Sequence, residues 1–323
     1  MPNPTSGDVY VSNPLTNIAI AYMQQGAYVA PLLAPVIPVE VQGGSFRTYN
    51  REDWLRSEAQ ERAPGTESVG SGWRLGTSTY FARVYAVHKD VDDQTRANQQ
   101  APINLDRDAT QWVTQQLLLK REQLVQTSLF GTGIWGTDRT GVAAAPSAGQ
   151  FIQFDQAAST PIPYIRAEQR LMQSTTGFRP NTLIIGAQVF DALMDNATIL
   201  ERIKYTQAGF IDMELLARAF GVDRVIVPEA IQNTAAEGLS GSYSFVFGKS
   251  MLLAYVNPNP SPLTPSAAYT FAWTGYTGAQ ATGLRIKRFR LEQIASDRVE
   301  GEFAFTPQVI SPDLGRFYAS AVA

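Results

Sequence analysis

The chain lacks cysteine altogether and contains a single histidine, His88, among its 323 residues. Without cysteine it can form no disulfide and perform no thiol chemistry, and a Ser/His/Asp triad could use only that one histidine. Charged residues make up 17% of the chain, below the roughly 25% of an average soluble protein. A net charge of −3 gives no electrostatic reason to expect nucleic-acid binding. The low charge instead favours a surface that partners partly cover.

Long apolar runs are also missing. The most apolar stretch, Tyr28–Val41, is interrupted by three prolines and is too short to cross a bilayer, so we expect no membrane partner. Met1–Tyr10 has neither basic residues nor an apolar run, and we expect no signal peptide. Met1–Gln42 as a whole predicts an N-terminal arm with no sustained helix or strand beyond a possible short helix at Pro14–Gln25.

Motifs for catalysis or cofactor binding are equally sparse. Gly131–Gly136 matches G-x-G-x-x-G, but a helical pattern precedes it, whereas the nucleotide-binding motif follows a strand. His88 stands near Asp90, Asp92 and Asp93, yet this spacing is not that of a zinc site, and a solvated acidic turn is the simpler interpretation. We therefore expect no enzymatic activity, no cofactor and no metal site.

One long helix is predicted within Ile103–Gly133, at about 104–130. Asn104 or Asp106 can cap its first turn, and Gly131 can end it in the left-handed conformation. Some 26 residues at about 1.5 Å each reach roughly 39 Å, so the helix is either a long core helix or a spine that carries other elements across an assembly. Its apolar side comprises Ala109, Trp112, Val113, Leu117, Leu118, Leu119, Leu124, Val125 and Leu129. Its polar side comprises Gln115, Gln116, Lys120, Arg121 and Glu122.

An extended hairpin precedes that helix. Ser45–Asn50 and Thr77–Val87 have the composition of strands, and the segment between them, Arg51–Gly76, mixes nine charges of both signs with two tryptophans. So long a loop is either a mobile surface hairpin or an excursion that docks on a neighbouring subunit. Tryptophan and arginine dominate interface hot spots, which favours docking. The candidate contact residues are Arg51, Asp53, Trp54, Arg56, Glu58, Glu61, Arg62, Trp73 and Arg74.

Pro161–Gly278 alternates helical and strand patterns, which predicts an α+β or α/β domain, and we assign the chain as a whole to the α+β class. Asp212–Phe220 predicts a capped helix that Gly221 ends. Ser242–Phe247 and Met251–Val256 predict two strands paired around Gly248–Lys249. Leu284–Ile294 predicts a strand whose alternation slips at Lys287–Arg288, which suggests a β-bulge. Val299, Gly301, Phe303 and Phe305 alternate with Arg298, Glu300 and Glu302, and so predict the two faces of another strand.

The order of these parts resembles the major capsid protein of tailed bacteriophages, with the HK97-type fold. Four segments carry the resemblance: KDVDDQTRANQQAPINLDRDATQWVTQQLLLKRE at Lys89–Glu122, RPNTLIIGAQVFDALMDNATILERIKYT at Arg179–Thr206, LLARAFGVDRVIVPEAIQNTAAEG at Leu215–Gly238, and SPDLGRFY at Ser311–Tyr318. It implies an N-arm at 1–42, an extended E-loop hairpin at 43–87, a P-domain at 88–160 and 280–323 with the spine helix, and an A-domain at 161–279.

The same resemblance implies a structural protein whose copies form hexamers and pentamers of an icosahedral shell. Such a shell encloses double-stranded DNA, is assembled in the host cytoplasm, and becomes part of the virion. No long helical N-terminal extension is present, so we expect a separate scaffolding protein, besides a portal and possibly a decoration protein. The alternatives are the shell of an encapsulin-type nanocompartment, which shares the fold, and a soluble enzyme, which the lack of a catalytic constellation disfavours.

Overall fold

Two mixed sheets and one long helix form the body of the subunit in the computed structural model, which describes residues 28–49, 51–99, 103–204, 212–261, 264–278 and 283–323. Most of the predicted N-terminal arm, including the possible helix at Pro14–Gln25, lies outside these ranges. From Tyr28 onward the arm contains a single helical turn and a short strand.

The elements are numbered here in chain order. The strands are β1 (Val36–Val39), β2 (Gly43–Tyr49), β3 (Leu75–Phe81), β4 (Arg83–Asp92), β5 (Thr137–Val142), β6 (Gln150–Ile152), β7 (Thr182–Ile185), β8 (Arg224–Ile226), β9 (Ile231–Asn233), β10 (Tyr243–Phe245), β11 (Met251–Ala254), β12 (Ala268–Trp273), β13 (Leu284–Leu291), β14 (Ser296–Val309) and β15 (Gly315–Ala319). The helices are α1 (Ala30–Leu33), α2 (Arg51–Trp54), α3 (Asp93–Ala97), α4 (Leu105–Leu129), α5 (Pro161–Thr176), α6 (Ala187–Met194), α7 (Ala197–Ile203), α8 (Met213–Phe220) and α9 (Thr274–Thr277). Short 3₁₀ turns occupy Glu292–Ile294 and Pro312–Leu314.

The first sheet is built around β14, its longest strand. Its order is β1–β12–β14–β13, and β4 also pairs with β14. The predicted apolar face of β14 is confirmed, because Val299, Phe303 and Phe305 are buried against α4. The predicted bulge in β13 is wrong: Lys287 and Arg288 pair with consecutive residues of β14 in an unbroken register. The alternation of apolar and basic residues slips there because arginine and lysine side chains on both faces of β13 form ion pairs with acidic residues.

The second sheet runs in the order β6–β5–β15–β11–β7–β8. Its residues alternate between two cores, as a period of two requires. Ile184 and Leu252 point into the core that contains the C-terminal half of α4. Leu183 and Leu253 point into the core that α5 covers on the opposite face. The spine helix and α5 therefore lie on opposite sides of this sheet.

Two strands have partners that the sequence did not indicate. The predicted pairing of Ser242–Phe247 with Met251–Val256 is wrong, because β11 lies between β7 and β15 while β10 pairs with β9. The sequence favoured a hairpin because it is the shortest connection between the two strands. However, β11 is entirely buried, and its central position in the six-stranded sheet allows both of its faces to be covered. Likewise β12 joins the first sheet and β15 the second, so strands of the two predicted domains are exchanged.

The helix termini test the capping predictions. Asn104 caps the spine helix, since its side chain accepts a hydrogen bond from the backbone N–H of Arg107 at 3.1 Å. The predicted left-handed end at Gly131 is wrong: the helix ends at Leu129, and the first glycine after it with a positive φ is Gly133 at 80°. The helix α8 is capped by Asp212 and ended by Gly221 with φ 72°, as predicted.

The close approach of the spine helix to β14 depends on Gly301. A Cβ atom at this position would lie 2.5 Å from Cγ1 of Val113 and 2.7 Å from Cδ1 of Leu117. Both helix residues are buried, so neither can move aside without disturbing the core around it. Glycine at this strand position is therefore required by packing rather than by backbone conformation.

We expect Gly301→Ala to lower the free energy of unfolding by about 1–3 kcal/mol, because it overpacks the contact between helix and strand. Gly70→Ala is the matched control, since a Cβ there meets nothing within 4 Å. Urea unfolding of the two purified subunits measures the difference. Equal stability of the two variants would contradict the packing role of Gly301.

Candidate inter-subunit contact surface

The predicted hairpin exists and is attached to the body near its base. The strands β2 and β3 pair from Gly43↔Phe81 to Tyr49↔Leu75. Tyr80 stacks on Phe271 of the first sheet with ring centroids 4.5 Å apart, and Phe46 lies 5.7 Å from the same ring. These aromatic contacts fix the direction in which the hairpin leaves the sheet. The hairpin loop, defined here as residues 51–74, follows at the far end of the ladder.

A two-point ion pair closes the hairpin loop. The guanidinium of Arg74 donates to both carboxylate oxygens of Asp53 at 3.0 and 3.1 Å, and the backbone N–H of Arg74 donates to the same carboxylate at 2.9 Å. The hydrogen bonds from Arg74 hold the pKa of Asp53 below its usual range. Bidentate pairs of this kind add geometric definition as well as energy. They place two residues that are 21 positions apart side by side.

The two tryptophans next to this ion pair lie together on the surface. The rings of Trp54 and Trp73 are 6.0 Å apart at an interplanar angle of 50°. Their exposed fractions are 62% and 61%, although tryptophan is usually well covered in a folded chain. Leu55 and Val69 add further exposed apolar surface to the same loop. The sequence-predicted contact residues Asp53, Trp54, Trp73 and Arg74 therefore form one cluster.

The other charged candidates of the loop have different neighbours. Arg56 pairs with Glu58 at 3.3 Å, and the guanidinium of Arg62 donates to the carbonyl of Thr66. Glu61 is exposed. Arg51 forms an ion pair with Asp313 at 3.0 Å, so this residue ties the loop to its own body. All of these pairs are solvent-exposed, and such pairs contribute at most about 1 kcal/mol each.

The candidate residues of the spine helix lie inside the subunit. Val113 and Leu117 are buried, and Trp112 and Leu124 pack on the same core while partly exposed. Along this stretch the amphipathic pattern is confirmed, since Ala109, Val125 and Leu129 are buried as well. These residues hold the helix on the sheets rather than offering a surface to a partner.

The predicted polar side of the helix is wrong at two positions. Glu122 is fully buried and Arg121 is 8% exposed. One carboxylate oxygen of Glu122 accepts a hydrogen bond from the N–H of Ala30 at 2.8 Å, at the first turn of α1. Burial raises the pKa of Glu122 to about 7, while the Ala30 bond and Arg121 act in the opposite direction. The segment after Tyr28 thus crosses the spine helix and covers these charges, which a helical pattern alone could not reveal.

Acidic residues that the sequence offered as possible metal ligands have arginine or helix partners instead. Asp90 accepts two hydrogen bonds from Arg298 at 2.7 and 2.8 Å, and Asp93 pairs with Arg290. Asp92 caps α3 by accepting from the N–H of Thr95. Within the described residues, no group of three or more histidine, cysteine or acidic side chains could hold a metal ion. In the same part of the chain, no helix is long and apolar enough to cross a membrane.

An ion-pair network joins the start of the spine helix to the first sheet. Arg96 bonds Asp106 and Asp297, both at 2.9 Å, and Arg288 bonds the same two carboxylates at 3.1 and 2.8 Å. The hydrogen bond from Arg288 is the main cause that lowers the pKa of Asp297. This network was not predicted from the sequence. The basic strand LRIKRFRL could have indicated it, because such a strand needs acidic residues on its neighbour.

Similarity to known proteins extends over nearly the whole chain. The major capsid protein of Burkholderia phage BcepMu is 26% identical over 315 residues, covering 93% of each chain. A phage-related protein from Bordetella bronchiseptica RB50 superposes with a TM-score of 0.69 at 21% identity, covering 96% of this chain and 97% of that one. A chain of the cyanophage P-SCSP1u capsid superposes with a TM-score of 0.59 at 13% identity, covering 92% and 89%. The chain is similar along nearly its whole length to a phage major capsid protein, and it has the HK97-type fold of phage capsid subunits. No protein-family model matches it.

This similarity supports a structural role for the chain as a subunit of a capsid shell. A shell subunit needs surfaces for its neighbours besides a core of its own. The hairpin loop has the properties of such a surface: it is exposed, apolar at Trp54 and Trp73, and held in shape by the Asp53–Arg74 pair. The first sheet, on which Phe46 and Tyr80 pack, is the support to which that surface is attached.

Stability of the capsid subunit should depend on pH through Glu122. Its pKa in the folded state, about 7, lies above the ordinary value of 4.5, so the folded subunit holds a proton that the unfolded chain releases. The resulting stabilisation is complete below the unfolded pKa and is lost as the pH rises through about 7. In the wild type this loss should lower the free energy of unfolding by roughly 1 kcal/mol per pH unit. We expect Glu122→Gln, which keeps an acceptor for Ala30, to abolish this pH dependence.

Urea unfolding of wild type and Glu122→Gln at pH 5.5 and 7.5 measures this slope. Carboxylates with lowered pKa values interfere little in this window, because above pH 5.5 they are nearly fully ionised in the folded and the unfolded state. Burial would raise the pKa of Glu302, but hydrogen bonds from Lys287, Arg285 and Tyr276 lower it to about 2. The same pH dependence in both proteins would exclude Glu122 as its source.

Proposed function

We propose that copies of this chain assemble into hexamers and pentamers that tile an icosahedral shell around double-stranded DNA. The capsid relative that aligns along 93% of the chain supports this proposal. The net charge of −3 suits a wall that encloses DNA without binding particular sequences. The particle would be assembled in the host cytoplasm and become the shell of the virion.

The observation that carries the proposal is the exposed tryptophan pair at the end of the hairpin. Trp54 and Trp73 belong to no hydrophobic core of the described chain. Large aromatic side chains that cluster on a defined loop are typical of interface hot spots. A neighbouring subunit that covers them would bury apolar surface that the isolated subunit leaves in water.

The predicted division of the chain fits this role. The N-arm (1–42) and the E-loop hairpin (43–87) would reach neighbouring subunits. The P-domain (88–160 and 280–323) would form the wall, and the A-domain (161–279) would line the centre of each capsomer. A separate scaffolding protein, a portal and possibly a decoration protein would complete the particle.

Electron microscopy of the purified protein, expressed with and without the scaffolding protein of its phage, tests the proposal. Closed shells or capsomers are the expected result. Particles from infected cells should contain long double-stranded DNA, whereas an enclosed enzyme would favour the encapsulin-type alternative. A monodisperse monomer under every condition would contradict shell formation.

The tryptophan pair provides a sharper test of the hairpin surface. Replacing both residues, Trp54→Ser and Trp73→Ser, should leave the subunit folded, because neither side chain is part of a core. Shell yield should fall roughly tenfold or more, as for loss of a hot spot. The control is the pair Trp54→Phe and Trp73→Phe, which keeps aromatic surface and should retain assembly. Normal yield from the serine variant would assign the loop to the free surface.

The shell should be held together without covalent cross-links. An isopeptide bond needs a lysine amine placed close to an amide or carboxyl carbon, but the hairpin loop contains no lysine, and the chain contains no cysteine. Mature particles boiled in detergent should therefore run as a single band near the subunit mass of 35.4 kDa. A ladder of multimers would overturn this expectation and make Lys89 the first residue to replace.

A further inference from the structure

The β9–β10 hairpin has its apolar side turned away from its own chain. Directly opposed residues of an antiparallel pair share one face, so the pairs Phe245↔Ile231 and Tyr243↔Asn233 form one side of this small sheet. Tyr243 is 72% exposed, and Leu239 in the connecting loop is equally exposed. Gln232 lies on the other face and accepts a hydrogen bond from Gln123 of the spine helix at 2.9 Å. The polar side therefore faces the subunit.

This hairpin is firmly rooted, so its exposed apolar face is not a consequence of disorder. At its base the N–H of Val246 donates to the carbonyl of Ala230 at 2.9 Å, and both residues are buried in the core with the spine helix. At its tip the side chain of Asn233 accepts from the N–H groups of Ala235 and Ser242. A two-stranded sheet with this much exposed apolar surface is marginal alone and is typical of an interface.

The hairpin is also acidic. Glu229 and Glu237 are exposed, and no lysine or arginine lies between Val225 and Gly248. Within the described part of the chain, neither carboxylate forms an ion pair. A surface that combines exposed apolar groups with unneutralised acids fits a partner that offers apolar groups among basic ones.

The outer face of α5 has that complementary chemistry. Arg166, Arg170 and Leu171 are exposed on it, whereas the single carboxylate of the helix, Glu168, is buried on the inner side with Arg316 and Arg139. Arg166 donates one hydrogen bond to the carbonyl of Ala219 at 3.0 Å, which leaves its charge unneutralised. The face is thus basic, with one large apolar residue, Leu171, beside the arginines.

These two surfaces cannot meet within one subunit. The base of the β9–β10 hairpin belongs to the core on one side of the six-stranded sheet, with Ile184 and Leu252. The inner face of α5 belongs to the core on the other side, with Leu183 and Leu253. Two different complementary patches on opposite sides of a subunit generate a head-to-tail contact, and a head-to-tail contact that closes forms a ring.

We propose that the outer face of the β9–β10 hairpin of one subunit docks on the outer face of α5 of the next subunit around a capsomer. The occupant of each surface is a second copy of this chain, and the inference rests on the proposed function. Tyr243, Phe245 and Leu239 contribute the apolar contact with Leu171. Glu229 and Glu237 face Arg166 and Arg170, which fixes the direction of the ring.

Charge reversal tests the pairing. The hairpin variant carries Glu229→Lys and Glu237→Lys, the helix variant carries Arg166→Glu and Arg170→Glu, and a third protein carries all four substitutions. Each of the first two should raise the concentration needed for shell assembly roughly tenfold or more, because like charges then face each other. The third should assemble nearly as well as wild type. Circular dichroism checks that every subunit is folded.

Glu292→Lys is the control for added positive charge, since the Glu292 side chain is 85% exposed and lies outside both surfaces. It should assemble as wild type does. Normal assembly of the folded hairpin or helix variant would overturn the proposal, and so would failure of the combined variant to recover. If wild type itself forms no particles, the proposed function fails and this inference with it; particles from wild type and from all variants alike would remove only the inference.

Discussion

The structure depends on the close contact between the spine helix and β14. Gly301 lets the helix approach until Val113 and Leu117 lie on the strand backbone, and β14 in turn pairs with β4, β12 and β13. A single helix–strand contact therefore positions four strands of the first sheet. The far half of the same helix enters the core beneath the second sheet, so one rigid element sets the relation between the two sheets.

Many of the few charged residues of this chain form ion pairs with one another within the subunit. Arginines 96 and 288 share two carboxylates at the start of the spine helix, and Glu168 lies buried between Arg139 and Arg316. Breaking one member of a buried pair leaves an uncompensated charge, so such pairs define geometry more than they add stability. In a shell subunit a defined geometry is valuable, because small errors of angle accumulate around a closed ring.

Sequence periodicity predicted the elements that depend on residues nearby in the chain. It missed those that depend on contacts with distant segments. The stripe from Ala109 to Leu129 identified the spine helix, and Asp212 with Gly221 identified both ends of α8. Glu122 was assigned to a polar side because the segment that covers it, beginning at Tyr28, lies far away in the chain. The partners of β11 were missed for the same reason: β7 lies about 70 residues before it in the chain and β15 about 60 residues after it. The Asp53–Arg74 pair spans 21 residues, and only its composition was visible.

The surfaces proposed for contact between subunits differ from the cores in exposure and in support. Core residues such as Val113 are covered within the subunit, whereas Trp54, Trp73 and Tyr243 are held exposed on two-stranded hairpins. A hairpin presents both faces at once, and contacts with the body orient each of the two: Phe46 and Tyr80 pack on Phe271 in the first, and Gln232 bonds Gln123 in the second. Exposed apolar groups on rigid supports lose little conformational entropy on binding. In the proposed ring each contact would therefore be weak and assembly would still be cooperative, since the subunit that closes the ring completes contacts on two sides at once.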